Sequence, residues 1–445
     1  MKLNNVILLG CWEKFHNILT RRGRRTKMNK QTKLEQAIEI LTANNQQEII
    51  KIINKLDEEK KKKLVNQVLE LDFEELNKLY SKVNESIIKK DQKIEHVKHT
   101  DKDKMTDEQK VKYSNIGERI IKNGEYAVVT MAGGQGTRLG HKGPKGTFKL
   151  EVEPEPKYLF QILAENLEDA NRKYGITLNW YIMTSTENRE ATENCFKEHN
   201  YFGYNKDHIK FFNQGNLPLM FTNGKLVLDK DYSIKIAADG NGCIYKAMKK
   251  CGILQDMKEK GIKWVFIGAV DNALLNMVDT ILLGLTVENN DKVATKSIVK
   301  NSPKEKVGVF CKINGTVSVI EYSELPEEMA ILVDEDGELL YGEAHIMCNL
   351  FSMEALEKIA DIDLPYHVAH KKTDYMNENG EFIEATEPNA YKFEAFIFDA
   401  FNYFDNITIL RGRREDDFAP IKNKNGVDSP ETAIKLYNDY WKSKR

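Results

Sequence analysis

Residues 131–145 read Met131-Ala132-Gly133-Gly134-Gln135-Gly136-Thr137-Arg138-Leu139-Gly140-His141-Lys142-Gly143-Pro144-Lys145, directly after Tyr126-Ala127-Val128-Val129-Thr130. The apolar, β-branched run before the glycines predicts a short buried strand. Gly133, Gly134, Gly136 and Gly140 then interrupt any regular element. Without a Cβ, their amides can approach a ligand closely, and a row of such amides at a strand end forms an anion-binding concavity. Arg138 and Lys145 add positive charge beside it, and Pro144 stiffens the approach to Lys145. A strand that empties into such a loop predicts an α/β fold with room for several phosphates in series.

Two common phosphate loops fail against this stretch. No Gly-Lys-Ser/Thr closes it, so it is not a Walker loop. Gly140 follows Gly134 and Gly136 one residue too late for the dinucleotide fingerprint Gly-x-Gly-x-x-Gly. Many glycine-rich turns are no more than tight corners; Arg138 and the Pro144-Lys145 pair make this one specific. In that form it resembles the signature of the UDP-sugar pyrophosphorylase family: Gly-Gly-x-Gly-Thr-Arg-Leu-Gly, a short spacer, then Pro-Lys. The resemblance implies a nucleotidyltransferase acting on a sugar phosphate. It implies a Rossmann-like, glycosyltransferase-A-like mixed sheet flanked by helices, with Ala132, Gly133, Gly134, Gly136 and Thr137 at the nucleotide.

The totals leave room for that reading. At 445 residues the chain has ample core. Its 66 basic and 68 acidic residues give a net charge of −2, so no global field draws nucleic acid or membrane. Any anion site must be local. Cys11, Cys195, Cys243, Cys251, Cys311 and Cys348 are scattered without a Cys-x-x-Cys pair, which predicts reduced thiols in a cytoplasmic protein and no zinc spacing. No apolar run approaches the length of a membrane span. In residues 1–27, Val6–Leu9 is too short for a signal core and the basic Arg21–Arg25 run follows it. That region reads either as a disordered arm or as an extended start upstream of Met28.

From Met28 onward the pattern is helical. Leu34, Ala37, Ile38 and Leu41 make one stripe, Ile49, Ile50, Ile53 and Leu56 another, and Leu64, Val68, Leu71, Leu76 and Leu79 a third. The Asp57–Lys63 run mixes acids with its lysines and reads as a solvated face. Residues 28–112 are expected to form a helical region whose polar end, 98–112, is a linker. Strand and helix signals then alternate through a catalytic domain over 113–400, with a small C-terminal region, 401–445, contributing to the sugar-phosphate site. Helices are expected at Leu159–Tyr174, Asn188–His199 and Ile244–Lys258, and strands at Leu178–Met183, Ile209–Phe212 and Trp264–Val270. Ligands in open α/β sheets bind beyond the carboxyl ends of strands. That rule places the glycine loop, Gln214 and Asp271 on one rim.

Asp271 ends a strongly apolar strand, where a carboxylate is costly unless something positive meets it. A Mg²⁺ ion carrying phosphate oxygens would meet it, since this ion takes one or two carboxylates and completes its shell with phosphate and water. A helix N-cap is the structural alternative. The resemblance favours the metal, because Val270-Asp271-Asn272 matches the family's nucleotide and metal aspartate motif. Ala238-Asp239-Gly240-Asn241-Gly242-Cys243 could be an ordinary turn. It is similar to the family's Pro-Asp-Gly-Asn-Gly-Gly turn, which implies that Gly240 lies against uridine and Asn241 touches the sugar. Gln214 matches a glutamine that reads the uracil edge, and a carboxamide offers the donor and acceptor that edge needs.

Further along, the resemblance is to the UDP-N-acetylhexosamine pyrophosphorylase branch. Lys304–Val309 and Val319–Glu324 resemble its paired sugar-site segments, implying sugar contacts at Gly308, Glu321 and Tyr322. Pro365–Lys372, Lys392–Asp399 and Arg414–Asn423 continue the match in family order. They imply that Lys392 contacts UTP phosphates and Lys422 the sugar phosphate. His367 is expected to pack or hydrogen-bond rather than act as a base. One departure is His345-Ile346 where the branch has Asn-Ile, so position 345, implied to line the sugar, carries a bulkier ring with one donor and one acceptor.

The sequence thus predicts a uridylyltransferase making a UDP-sugar and pyrophosphate from UTP and a sugar 1-phosphate, with N-acetylglucosamine 1-phosphate the expected sugar. Arg138, Lys145, Lys392 and Lys422 are its expected catalytic residues and Mg²⁺ its cofactor. Glucose or galactose 1-phosphate is the alternative sugar, and a non-catalytic UDP-sugar sensor the alternative class. A sensor would be expected to lose the rim charges, which this chain keeps. A monomer or weak homo-oligomer, without nucleic-acid or membrane partners, is expected.

Overall fold

The computed structural model describes residues 31–83 and 92–444, so the expectation for residues 1–27 lies outside it. The chain forms two compact units. The first joins the described part of Met1–Glu85 to Leu217–Ala237 and Val368–Phe393. Its helices are α1 (Lys33–Ala43), α2 (Gln47–Ile53), α3 (Glu58–Glu70) and α4 (Phe73–Ser81). Each begins where the sequence offers a cap or a break. Thr32 and Glu35 form a capping box for α1, and the side chains of Asp57 and Asp72 accept from Lys60 and Glu75 amides to start α3 and α4. The expected stripes bury Ala37, Leu41, Ile49, Ile53, Leu64, Val68, Leu76 and Leu79, while Asp57–Lys63 stays largely in water.

Two glutamines explain why later segments join these helices. Gln46 donates to the Gly224 carbonyl (3.0 Å) and accepts from the Leu226 amide (2.9 Å). Gln67 accepts from the Ile234 amide at 2.9 Å. Buried backbone groups need partners, and here helix side chains supply them. The helical region is therefore not a contiguous N-terminal piece, and 113–400 is not one uninterrupted domain.

The second unit is built on an eleven-stranded mixed sheet. Its strands are β1 (Ile94–Glu95), β2 (Thr100–Asp101), β3 (Tyr126–Met131), β4 (Asn179–Thr184), β5 (Ile209–Asn213), β6 (Trp264–Ala269), β7 (Val293–Val299), β8 (Val309–Ile313), β9 (Thr316–Ile320), β10 (Glu343–Ser352) and β11 (Thr408–Arg411). Their order is β2-β11-β7-β10-β6-β3-β4-β5, with β8 joining β1, β9 and β10. β6, β3, β4 and β5 are mutually parallel, and β10 runs antiparallel to both β6 and β7. Every residue of β3 is buried, as its composition predicts. Val128 faces one core with Phe266 and Leu350, and Ala127 and Val129 face the other with Val265 and Phe351.

Three differences from the sequence reading have local causes. The stretch 98–112 is not a linker: it holds β2 and the start of α5 (Asp107–Lys122), opened by a Thr106/Gln109 capping box. The helix expected over Ile244–Lys258 is two, α6 (Ile244–Lys250) and α7 (Ile253–Glu259), parted at Gly252 with φ +73°. The C-terminal region 401–445 is not set apart from the catalytic domain, because β11 lies inside the main sheet between β2 and β7.

Candidate active site

The parallel strands end together, at Met131, Thr184, Asn213 and Ala269. The glycine loop leaves the first of these ends and folds back on itself. Gly136 donates to Gly143, and Lys145 donates to Gly134 at 3.0 Å, so the loop closes at its base. Asn188 holds that base from below, donating to the Ala132 carbonyl at 3.0 Å. The amides of Gly133 and Gly134 meet no acceptor among the described residues. Gly134, Thr137 and Arg138 are exposed. Amides without an acceptor among the described residues, in the same loop as an exposed guanidinium, are what an anion needs.

Closing the loop delivers Lys145 to Asp271, Nζ to Oδ2 at 2.9 Å, across 126 residues of sequence. Burial raises the Asp271 carboxyl pKa, but Lys145 and then Lys422 outweigh it, leaving the group below its ordinary range. Lys422 reaches this place on a short ladder. Ile421 donates to the Asp271 carbonyl (2.8 Å), Ala273 to Ala419 (3.0 Å), and the Asn272 side chain bridges the Asp417 carbonyl and the Ala419 amide. Asn272 therefore joins the two segments, and among the described residues Asp271 caps no helix. Below the ladder, Lys296 is fully buried between Asp279 (2.6 Å) and Asp417 (2.5 Å). Neither Asn272 nor Lys296 was legible as a site residue, since each is placed by Asp417, more than a hundred residues away.

Gln214 follows β5 and lies across Gly133: a Cβ on that glycine would fall 2.6 Å from its Oε1. Gly240 has φ +97°, and a side chain there would collide with the Ala395 carbonyl. Asn241 accepts from the Ile397 amide at 2.8 Å, which commits its oxygen and leaves its NH₂ as the group to offer a ligand. Gly308 faces Glu321, whose Oε1 would stand 3.3 Å from a Cβ at 308. Burial and the nearby Glu324 push the Glu321 carboxyl up, while His367 and Lys422 pull it back. Tyr322 is exposed. Lys392 stands in the first unit, on the strand Ala390–Glu394.

His345 is brought elsewhere. Its ring is buried against Phe310, Phe398 and Phe401 and bonds Asn349 Oδ1 through Nε2 at 2.9 Å. Burial holds its pKa down to about 4, so the ring is neutral. A neutral ring among three phenylalanines is a core residue; the expected lining role at 345 has no support in this packing.

A family model described as UTP–glucose-1-phosphate uridylyltransferase matches residues 71–429. A UDP-N-acetylglucosamine pyrophosphorylase of Saccharomyces cerevisiae is 40% identical over 73% of this chain and 70% of its own. The chain belongs to the UTP–glucose-1-phosphate uridylyltransferase family. Among solved structures, a putative UDP-N-acetylglucosamine pyrophosphorylase from Entamoeba histolytica superposes with a TM-score of 0.72 at 35% identity, covering 79% of this chain and 90% of that one. The Trypanosoma brucei enzyme gives 0.76 at 28% identity, over 92% and 84%.

As a member of the uridylyltransferase family, the chain is a nucleotidyltransferase, and the α/β mixed sheet is the fold of its relatives. The family carries a general divalent-metal requirement. Among the described residues no three His, Cys, Asp or Glu side chains gather as a metal cage. A metal held chiefly by nucleotide phosphates needs only one protein carboxylate, and Asp271, ionised at the strand end beside the loop, fits that need. No helix among the described residues is long and apolar enough to cross a membrane.

Proposed function

We infer that the protein makes UDP-N-acetylglucosamine and pyrophosphate from UTP and N-acetylglucosamine 1-phosphate. The observation that carries this is the Lys145–Asp271 pair, with Lys422 near enough to act on the same carboxylate, beside a loop whose Gly133 and Gly134 amides meet no acceptor among the described residues. The names borne by the relatives support the choice of sugar.

A phosphate monoester is already anionic near neutral pH, so its oxygen attacks the α-phosphorus of UTP in line without a general base, and pyrophosphate leaves. Catalysis is then positioning and charge stabilisation. In this reading Gln214 pairs with the uracil edge and Gly240 lies against uridine. The amides of Gly133 and Gly134, with Arg138 and Lys145, hold the leaving pyrophosphate. Lys422 brings in the attacking phosphate, and Lys392 is assigned to the α-phosphate on its motif. Asn241, Gly308, Glu321 and Tyr322 take the sugar. Mg²⁺ bound at Asp271 would neutralise phosphate charge as it develops. The protein is proposed to work in the cytoplasm, as a monomer or weak homo-oligomer.

The test is pyrophosphate release from UTP with a panel of sugar 1-phosphates. N-acetylglucosamine 1-phosphate should give the highest kcat/KM. A glucose or galactose 1-phosphate turned over faster would overturn the sugar assignment but keep the chemistry; no release with any sugar would overturn both.

A further inference from the structure

His367 does no work in the reaction just described, yet its surroundings are unusual. The ring is buried, with Nε2 3.0 Å from Asp399 Oδ2 and Nδ1 3.4 Å from Glu324 Oε1. A neutral imidazole has one N–H and would turn a lone pair on one of these carboxylates. A ring with a carboxylate at each nitrogen is therefore the cation. One face packs on Phe396, centroid to centroid 4.3 Å.

Both carboxylates belong to segments that hold residues assigned to the sugar. Glu324 closes the turn after Glu321: the amides of Glu324 and Leu325 donate to the Glu321 carbonyl at 2.9 and 3.0 Å. Asp399 also accepts from the Phe396 amide at 3.1 Å, and the next amide, Ile397, is the one bonded to Asn241. The path from Glu321 to Asn241 thus runs through Glu324, His367 and Asp399, each step a hydrogen bond or a turn.

We propose that His367 is a positioning residue, a charged strut that sets the separation of the Glu321 and Asn241 arms of the sugar site. The proposal rests on the reading of those two residues as sugar contacts. The charged groups at the ring are Asp399 and Glu324 directly; Glu321 is close enough to feel the ring's charge, and Lys422 acts on Glu321 in turn. Burial lowers the imidazole's pKa, but the two carboxylates outweigh it and lift it to about 9. Loss of the proton removes one of the two bonds and deprives Glu321 of a neighbouring cation. Both effects weaken the sugar arm and leave the glycine loop untouched.

The experiment measures KM for the sugar 1-phosphate and for UTP across pH in wild type, His367→Gln and Glu324→Gln. In wild type the sugar-phosphate KM, measured at saturating UTP, should rise about tenfold between about pH 7.5 and pH 10, the scale of one lost charge-assisted bond. The UTP KM should change only as uracil N3–H deprotonates at the alkaline end, equally in wild type and His367→Gln. His367→Gln should show the raised KM already at the lower pH and no alkaline step. Glu324→Gln, which removes one stabilising charge, should move the step to lower pH. An alkaline step in the sugar-phosphate KM that survives in His367→Gln overturns the strut. A ¹⁵N titration of the ring in substrate-free protein separates the strut from the function: a ring that is neutral at pH 7.5 overturns the strut whatever the sugar. A charged ring in a protein that turns over no sugar 1-phosphate overturns the functional reading instead.

Discussion

Lys145 joins two roles, because it is a point charge at the base of the loop and also the partner of Asp271 at 2.9 Å. Lys145→Ala should lower kcat roughly 10²–10³-fold, as loss of one transition-state charge contact does, with circular dichroism unchanged. Asp271→Asn should raise the Mg²⁺ concentration needed for half-maximal rate, read from activity against free metal; a shift in melting temperature alone would make the carboxylate structural. His367 gives a stability prediction with a definite sign. Its folded pKa, about 9, lies above the ordinary 6.5, so the stabilisation is complete below about pH 6.5 and is lost as pH rises through 9. Thermal melts of wild type should fall over that window, and those of His367→Gln should not share this component. Lys296 is different in kind. Truncating a buried cation between two carboxylates leaves their charges unpaired, so Lys296→Met should destabilise by about 3–5 kcal/mol in denaturant titration.

The glycine loop works as an element because its ends meet. Gly134 and Lys145 close it, Asn188 fixes its floor, and Gln214 lies over Gly133. Gly133→Ala would push the flexible Gln214 carboxamide aside rather than break the fold. We expect a raised KM for UTP, weaker discrimination against CTP and a nearly unchanged melting temperature, measured side by side. Gly240→Ala should behave oppositely. It meets the Ala395 main chain, which cannot step aside, in a backbone conformation that L-residues avoid. Loss of soluble, folded protein is its expected outcome. The same contrast explains the Gly252 break, invisible to hydrophobic periodicity because the apolar spacing of Ile244–Lys258 runs straight through it.

For the whole molecule, the arrangement predicts base selection. A site that pairs with one base edge leaves polar groups unmatched by another, so UTP should exceed CTP and the purine triphosphates in kcat/KM; equal use of UTP and CTP would remove Gln214 from recognition. By itself the sequence determined the strand before Gly133, the strands that alternate with helices after it, and the family, because these rest on composition, period and short motifs. Stripes such as Ala37–Leu41 and caps such as Thr32 are local in the same way. Only the tertiary structure decided which segments keep company. The Gln46 and Gln67 bonds that join residues 217–237 to the helices, and the insertion of β11 into the main sheet, depend on pairings of backbone groups that no local pattern encodes. It also decided the two histidines. His345 and His367 are alike in sequence as single rings near sugar-site motifs. The first meets three phenylalanines and stays neutral, the second meets two carboxylates and holds its proton. An imidazole's charge is set by whatever surrounds it, and what surrounds it is assembled from distant parts of the chain.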